Sequence, residues 1–513
     1  MKQQIQHTGH TESPAELCTV ADVRQIERAG LSQGMPLMER AGLVAADLAV
    51  ELLGKLGQGG GRRVLVIAGP GNNGGDALEC ALHLKQRFFG ITAVFLGEEH
   101  RLPEDARLAL QKWRDVGGSL ESDIPTGPPA RDRWDLVIDG LFGIGLSRPL
   151  TGRTAQMVER INRLGLPILS LDIPSGLNAD TGAIMGVAVR ASHTLTFITG
   201  KPGLHTLDGP DCCGTVHCAS LGTAPLPRPV SAGRLLDHSV LGNMKTRPAN
   251  FHKGMAGDVG IIGGVTGMLG APLIAGRAAL CTGAGRVFVG FISSEGPALD
   301  LLQPELMMRT PQQVIDACKV LALGPGMGDS PAAAALLATA LGGTQSLLLD
   351  ADALNLLGAD PALARLAGQR TAATVLTPHP AEAGRLLGTT TAEVQRDRLA
   401  AALELARRFQ ACVVLKGKGS ILAAPDGRWR INPTGNPGMA SAGMGDALAG
   451  MLASLLAQGL PAMAALELAV WVHGRAADEL AAGGDGPLGI TATDVTHAAR
   501  RVLNTPPSLY SVQ

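Results

Sequence analysis

The stretch VLVIAGPGNNGGDALECALHLKQRF, Val64 to Phe88, runs from an apolar segment through a glycine-rich turn into helical sequence. Val64 to Ala68 is unbroken by polar residues, which predicts a strand covered on both faces. Small and polar residues from Gly69 onward have the spacing of a tight turn. Gly69, Gly71 and Gly74 formally satisfy G-x-G-x-x-G between strand and helix. In that arrangement main-chain amides at a helix N-terminus receive an anion.

Working outward, VRQIERAGL and MPLMERAGLVAADLAVELLGKL read as helices ahead of this strand, separated from it by the break GQGGGRR. Further strands are predicted at ITAVFLG, WDLVIDG, LPILSLDI and HTLTFIT. Strands alternating with helices imply right-handed crossovers and a mainly parallel sheet between helical layers. Ligands on such sheets lie beyond the carboxyl ends of the strands, so the polar residues there are the informative ones.

A second series follows TAPLPRPVSAG, Thr223 to Gly233, whose prolines stiffen an extended connection. The expected domains are residues 15–225 and 234–513, joined by a linker at 226–233. Strands are predicted at DVGIIGG, RVFVGF, KVLALG, SLLLDA, TVLTPH and CVVLKG, then a hairpin through SILAAPDGRWRINP. GAPLIAGRAALCTG, SPAAAALLATALGG, PAEAGRLLG, DRLAAALELARRFQ, MGDALAGMLASLLAQG and PAMAALELAVWVHGRAADELAAG read as helices. The expected fold class is therefore α/β with two domains.

Composition narrows the function. Lys plus Arg (44) balances Asp plus Glu (45) in 513 residues, so no global field draws nucleic acid or a membrane surface. Aromatic residues make up 3%, with Tyr510 the single tyrosine, which argues against base-stacking platforms. Met1 to Pro14 has no apolar signal-peptide core, and no run of 18 apolar residues occurs. Eight cysteines in such a chain are expected as reduced thiols in a cytoplasm. The cluster Cys212, Cys213, His217 and Cys218 has poor metal-ligand spacing and is expected as thiols near solvent.

In the first domain Asn72 and Asn73 place side-chain amides in the turn, and Asp76 is expected at the helix start, where it would cap the helix and repel a pyrophosphate. That weakens a dehydrogenase reading of the glycines and of the acidic pair Glu98 and Glu99. Asn73, Asp139 and Asp172 follow strands and should converge on one rim, with the hydroxyl of Ser175 beside them. Their oxygens suit a hard cation, and a carboxylate spared from it can move a proton.

In the second domain NPTGNPGMASAGMGDALAG carries Gly443, Met444 and Gly445 into a helix with Asp446 in its first turn. Free amides for a charged phosphoryl group and a carboxylate to accept a hydroxyl proton are what phosphoryl transfer requires. Lys416 in VVLKGKGSIL stands at a strand end among glycines, suited to nucleotide phosphates. Asp350 and Asp352 in LLLDADALN, His379 and Glu382 in LTPHPAE, and the turn Gly324 to Gly328 occupy other strand ends.

The motifs GNNGGD, DGLFGIGL and DIPSG resemble the epimerase domain of NAD(P)H-hydrate repair enzymes. LGPGMG, DADALN, TPHPAE, LKGKGS and GNPGMASAGMGD resemble the dehydratase branch of the ribokinase-like superfamily. Together the likeness spans all but the first dozen or so residues, as in the bifunctional NAD(P)H-hydrate repair family. It implies a Rossmann-like three-layer sandwich followed by a ribokinase-like domain. The first would interconvert the R and S forms of hydrated NADH or NADPH. The second would dehydrate the S form at the expense of ADP, releasing AMP and phosphate.

By the same likeness, Asn73, Asp139 and Ser175 would hold potassium. Asn72, Asn73, Gly74, Gly75 and Asp76 would contact the damaged cofactor. So would the loop Gly143, Ile144, Gly145, Leu146, Ser147, Arg148 and Pro149, with Asp172 the proton-transfer group. Lys416, Gly417, Lys418, Gly419, Ser420 and Gly445 would bind the nucleotide, as ADP with magnesium. Ala271, Gly326, His379 and Asp446 would bind the hydrate, with Asp446 the catalytic base. The expected partners are these small molecules and further copies of the chain. Ala77 replaces the glycine that follows GGD in the family, and its methyl group is expected to crowd the loop. Two other readings share these motifs: a small-molecule kinase for the second domain, and a non-catalytic binding or scaffold module for the first.

Overall fold

The computed structural model describes residues 15–55 and 63–506. Met1 to Pro14, most of the GQGGGRR break and Tyr510 lie outside them. The chain divides into two compact units, Met1–Arg234 and Leu235–Gln513. The stretch 226–233, expected as a linker, falls within the first unit, whose core takes in Leu226.

The first unit holds strands β1 (Arg63–Ala68), β2 (Gly90–Phe95), β3 (Leu136–Gly140), β4 (Ile168–Leu171), β5 (His193–Phe197) and β6 (Thr215–Ala219). They form a six-stranded sheet in the order β2-β1-β3-β4-β5-β6, with every neighbouring pair parallel. Successive β1 side chains point to opposite faces and enter different cores. Val64, Val66 and Ala68 pack with α1 (Val20–Ser32), α2 (Leu37–Lys55) and α3 (Asn72–Gln86). Leu65 and Ile67 join Met157, Val158 and Ile161 of a helix at Gly152–Arg163. This is the three-layer arrangement that the apolar run implied.

Of the three glycines in the fingerprint, two are fixed by packing. A Cβ on Gly69 would collide with the Leu141 carbonyl, and one on Gly74 with the Gly69 carbonyl, whereas a Cβ on Gly71 would meet open space. The glycines thus let the helix start lie directly on the strand ends. Helix α3 begins at Asn72 with Gly71 as its N-cap, so Asp76 lies one turn inside the helix and does not cap it. Ala77 is completely buried and its methyl group fills the space in front of Gly140 on β3. It faces the sheet, because side chains one position apart on a helix diverge by about 100°, and it does not crowd the loop.

Cys212 and Cys213 are buried, not near solvent, because their short helix Gly209–Cys213 packs beside Ile173, Leu177 and Leu204. Glu98 and Glu99 lie on the surface, paired with Arg101 and Arg114.

The second unit contains β7 (Asp258–Gly263), β8 (Arg286–Phe291), β9 (Met307–Arg309), β10 (Val320–Leu323), β11 (Ser346–Leu349), β12 (Thr374–Leu376), β13 (Cys412–Leu415), β14 (Ser420–Ala423) and β15 (Trp429–Asn432). Their order is β15-β14-β13-β12-β11-β10-β7-β8-β9. Pairing is parallel from β13 to β9, and β13-β14-β15 is the antiparallel extension that the hairpin sequence predicted. The main core lies between the sheet and the helices Gly270–Cys281, Met444–Ala457 and Ala462–Ala482. The strand β9 was not read from the sequence; three residues are too few to show alternation. No described helix is long and apolar enough to cross a membrane.

Candidate active sites

In the first unit the carboxyl ends of the strands open into a cavity of about 410 Å³, a size suited to a small organic ligand. Helix α3 contributes Asn72, Asn73 and Asp76 to its wall, and the loop after β3 contributes Gly143, Ile144, Gly145 and Leu146. Asp172 completes the rim from the end of β4. Gly74 and Gly75 are buried in helix packing, Gly75 against Met38 and Ala106. Ser147, Arg148 and Pro149 are not among the lining residues.

Asp172 adopts a left-handed backbone conformation, φ 63°, which Asp tolerates better than most residues. One carboxylate oxygen, Oδ2, accepts from the Ile144 amide at 2.9 Å. The other, Oδ1, accepts from the Lys201 ammonium at 2.7 Å. Lys201, which lies four residues beyond β5, was missed by sequence reasoning; a cation just past an apolar strand was the available signal. Arg24 and Glu27 of α1 also line the cavity. Burial, reinforced by the charges of Asp172 and Glu27, pushes the Asp76 carboxyl well above the ordinary range.

Beside the cavity Asp139 is wholly buried. It accepts from the hydroxyls of Ser170 at 2.8 Å and Ser175 at 2.6 Å, and from the Ser175 amide at 2.9 Å. Burial raises its carboxyl, and these hydrogen bonds oppose the rise. Asn73 donates to the Leu171 carbonyl at 3.1 Å, yet its buried Oδ1 has no hydrogen-bond partner. A sealed carboxylate with no cationic side chain paired to it among the described residues, and an orphaned carbonyl oxygen at the start of α3, are oxygen donors of the kind a hard monovalent cation takes.

In the second unit Asp446 is the third residue of the helix Met444–Ala457. Gly443 caps that helix with φ 85° and no side chain bonds the first-turn amides. They are left free for an anion. Burial pushes the Asp446 carboxyl up to about 6, with Asp350 adding repulsion and Lys416 opposing it. Lys416 holds Asp350 at 2.8 Å and lies 4.0 Å from Glu382. The Thr377 hydroxyl also donates to Asp350, at 2.7 Å. A Cβ on Gly445 would lie 3.4 Å from the Lys416 ammonium, so the nucleotide motif and the GMGD turn meet at this lysine. Glu382 is pushed up to about 7, chiefly by burial.

His379 has a structural role as well as the expected one. Its Nδ1 accepts from the amides of Ala381 and Glu382, while Glu382 accepts from the His379 amide, capping the helix Pro380–Leu387. With Nδ1 so used, the neutral ring carries its proton on Nε2. Burial and the positive charge of Lys416 hold it below the ordinary histidine range.

The glycine loop after β13 is shaped from beneath. The buried Arg398 donates to the carbonyls of Leu415 at 3.3 Å and Lys416 at 3.2 Å, and Lys418 reaches the Gly435 carbonyl at 3.0 Å. Ser420 closes the turn on the Gly417 carbonyl at 2.9 Å. Arg398 too was missed, since a helix arginine gives no sign in sequence of facing inward. Ala271 and Gly326 are neighbours: a Cβ on Gly326 would touch the Ala271 methyl at 3.4 Å. The last residue of that turn, Gly328, donates its amide to Asp352 at 2.8 Å.

A family model described as NAD(P)H-hydrate dehydratase matches residues 259–501, and one described as YjeF-related protein N-terminus matches residues 34–203. The chain is 37% identical over 497 residues to the bifunctional NAD(P)H-hydrate repair enzyme Nnr of Moorella thermoacetica, covering 91% of this chain and 92% of that protein. It is 37% identical over 450 residues to the protein of the same name from Escherichia coli, covering 86% and 85%. A solved structure of ADP/ATP-dependent NAD(P)H-hydrate dehydratase from Bacillus subtilis, co-crystallized with ATP/Mg2+, is 29% identical, with a TM-score of 0.47, over 52% of this chain and 95% of that one.

Proposed function

This chain belongs to the bifunctional NAD(P)H-hydrate repair enzyme family, and on that premise we propose how its two sites divide the reaction. The first unit exchanges the epimers of hydrated NADH or NADPH, and the second dehydrates the S epimer. The observation that carries the second assignment is the meeting of Asp446, free helix amides and Lys416 at one point of the sheet.

Hydration of a dihydropyridine enamine puts the hydroxyl on the carbon beside the ring nitrogen. That hydroxyl is a poor leaving group, and phosphorylation makes it a good one. Asp446 takes the hydroxyl proton as its oxygen attacks the terminal phosphorus of ADP, and AMP leaves. The amides of the Met444–Ala457 helix and Lys416 stabilise the charge that develops on the migrating phosphoryl group. Elimination of phosphate, with loss of a proton from the adjacent ring carbon, restores the dihydropyridine. The nucleotide is read as its magnesium complex; Asp350, Glu382 and Asp446 outnumber the single ammonium of Lys416, a balance that suits an added cation. Gly417 to Ser420 and Gly445 would contact the nucleotide, while Ala271, Gly326 and His379 would face the hydrate.

The cavity of the first unit supplies an acid and a base. Asp76 gives its proton to the departing hydroxyl, which leaves as water while the nitrogen lone pair forms a C=N bond. Water then adds to the opposite face and passes its proton to Asp172, returning the electron pair to nitrogen. Potassium at Asn73, Asp139 and Ser175 would supply the positive charge that the buried carboxylate lacks and would tie α3 to the ends of β3 and β4. If so, potassium chloride added to a sodium buffer should raise the melting temperature, and Asn73→Ala should remove the rise. An identical response to sodium and potassium, or no response, would count against this site.

The test of the whole reading is turnover of mixed epimers with ADP and ATP side by side, followed by recovery of reduced-nicotinamide absorbance. Nucleotide consumed without that recovery would indicate a kinase; repair of one epimer alone would remove the epimerase. Because the base must be ionised and burial holds it near 6, kcat/KM for dehydration should be flat above about pH 7. It should fall about tenfold per pH unit below pH 6. A limb set by the substrate alone would persist unchanged in variants of Asp446.

A further inference from the structure

Lys201 is completely buried, yet it lines the cavity of the first unit. An ammonium taken out of water is tolerated only when paired and hydrogen-bonded. Lys201 has three partners: Asp172 Oδ1 at 2.7 Å, Thr196 Oγ1 at 2.7 Å and the Phe197 carbonyl at 2.8 Å. An ammonium has three protons to donate, and here all three are used. Lys201 therefore has none left for a ligand and is no candidate for the acid that protonates a leaving hydroxyl.

Its attachments explain its place. Thr196 and Phe197 belong to β5, so the ammonium is anchored to the sheet at two points. The third bond reaches Asp172, whose other oxygen is held by the loop amide of Ile144. The Asp172 side chain is 12% exposed, so little of it reaches the cavity. The carboxylate is thus fixed at both oxygens on a backbone turn that is itself left-handed.

We propose that Lys201 is a positioning residue for epimer exchange: its sheet-anchored ammonium aims the Asp172 carboxylate into the cavity and neutralises it there. The inference rests on the reading of this cavity as the epimerase site. Nearly all its effect passes through Asp172, which separates it from a general packing role.

A double-mutant cycle tests this. Lys201→Met, Asp172→Asn and the double variant are prepared in the full chain, and conversion of purified R hydrate to S hydrate is followed by chromatography. Dehydration of S hydrate with ADP, together with the melting curve, reports folding. Lys201→Met should lower kcat for exchange by about 100-fold, the usual cost of a misplaced catalytic group, with KM changed less than about threefold. The double variant should be no slower than Asp172→Asn, since groups that act as a unit are not additive. Should Lys201→Met fail to fold, Lys201→Gln, which retains two donors, takes its place in the cycle. Losses that multiply, a change confined to KM, or exchange at the wild-type rate in the lysine variant would overturn the proposal. If the wild-type protein itself exchanges no epimers, the reading of the cavity fails instead.

Discussion

Asp446→Asn is expected to lower kcat for dehydration by about 10²–10⁴-fold, the span that loss of a general base produces, equivalent to about 2.7–5.5 kcal/mol of activation free energy. Asn matches Asp in size, so the helix start and its free amides should persist and nucleotide binding should change little. The carboxylate that repels Asp350 and attracts Lys416 disappears, so any change in nucleotide affinity should favour the variant. The acid limb near pH 6 should vanish with it. Epimer exchange, which uses residues of the other unit, should continue at the wild-type rate. Steady-state kinetics on S hydrate with ADP, alongside chromatography of the epimers, decides the matter. Wild-type turnover in Asp446→Asn would show that another group takes the proton, with Glu382, pushed up to about 7 in the same cluster, the first to examine.

Asp172→Asn should produce the converse, a loss of about 10²–10⁴-fold in epimer exchange with dehydration of the S form intact. Asn is a better probe than Ala here. Asp172 has φ 63°, and a left-handed conformation costs an ordinary L residue about 1–2 kcal/mol but is accessible to Asn. An alanine variant would mix strain with lost chemistry. In the asparagine variant the one side-chain oxygen can accept from the Ile144 amide or from the Lys201 ammonium but not from both, so the melting curve is recorded alongside the kinetics. A sample of pure R hydrate should then be repaired no faster than it epimerises unaided. Repair of R hydrate at the wild-type rate would remove Asp172 from the mechanism.

Much of this was legible before any coordinates. The unbroken run Val64 to Ala68 reads as a doubly covered strand, and it is one. The order of motifs carried the resemblance to both halves of the repair family, whereas glycines and a carboxylate at a strand end left a kinase and a scaffold module open as readings. Local rules were less secure at element boundaries. Asp76 was expected to cap a helix that in fact begins four residues earlier, so the residue turns into the cavity. Ala77 was expected at the loop, whereas the helical rotation of one position sends its methyl group to Gly140. Adjacent Cys212 and Cys213 were expected near solvent, but hydrophobic partners distant in sequence bury them.

The sequence alone determined the alternation of strands and helices, the two-unit plan and the position of Asp446, since each follows from residues within a few places of one another. Only the tertiary structure decided that Lys201 is the partner of Asp172, that Arg398 underlies the nucleotide loop, and that Asn73 is left with an unused oxygen. Those facts depend on which side chains meet across the sheet. A buried charge or an orphaned acceptor is a property of the surroundings, which local sequence does not encode.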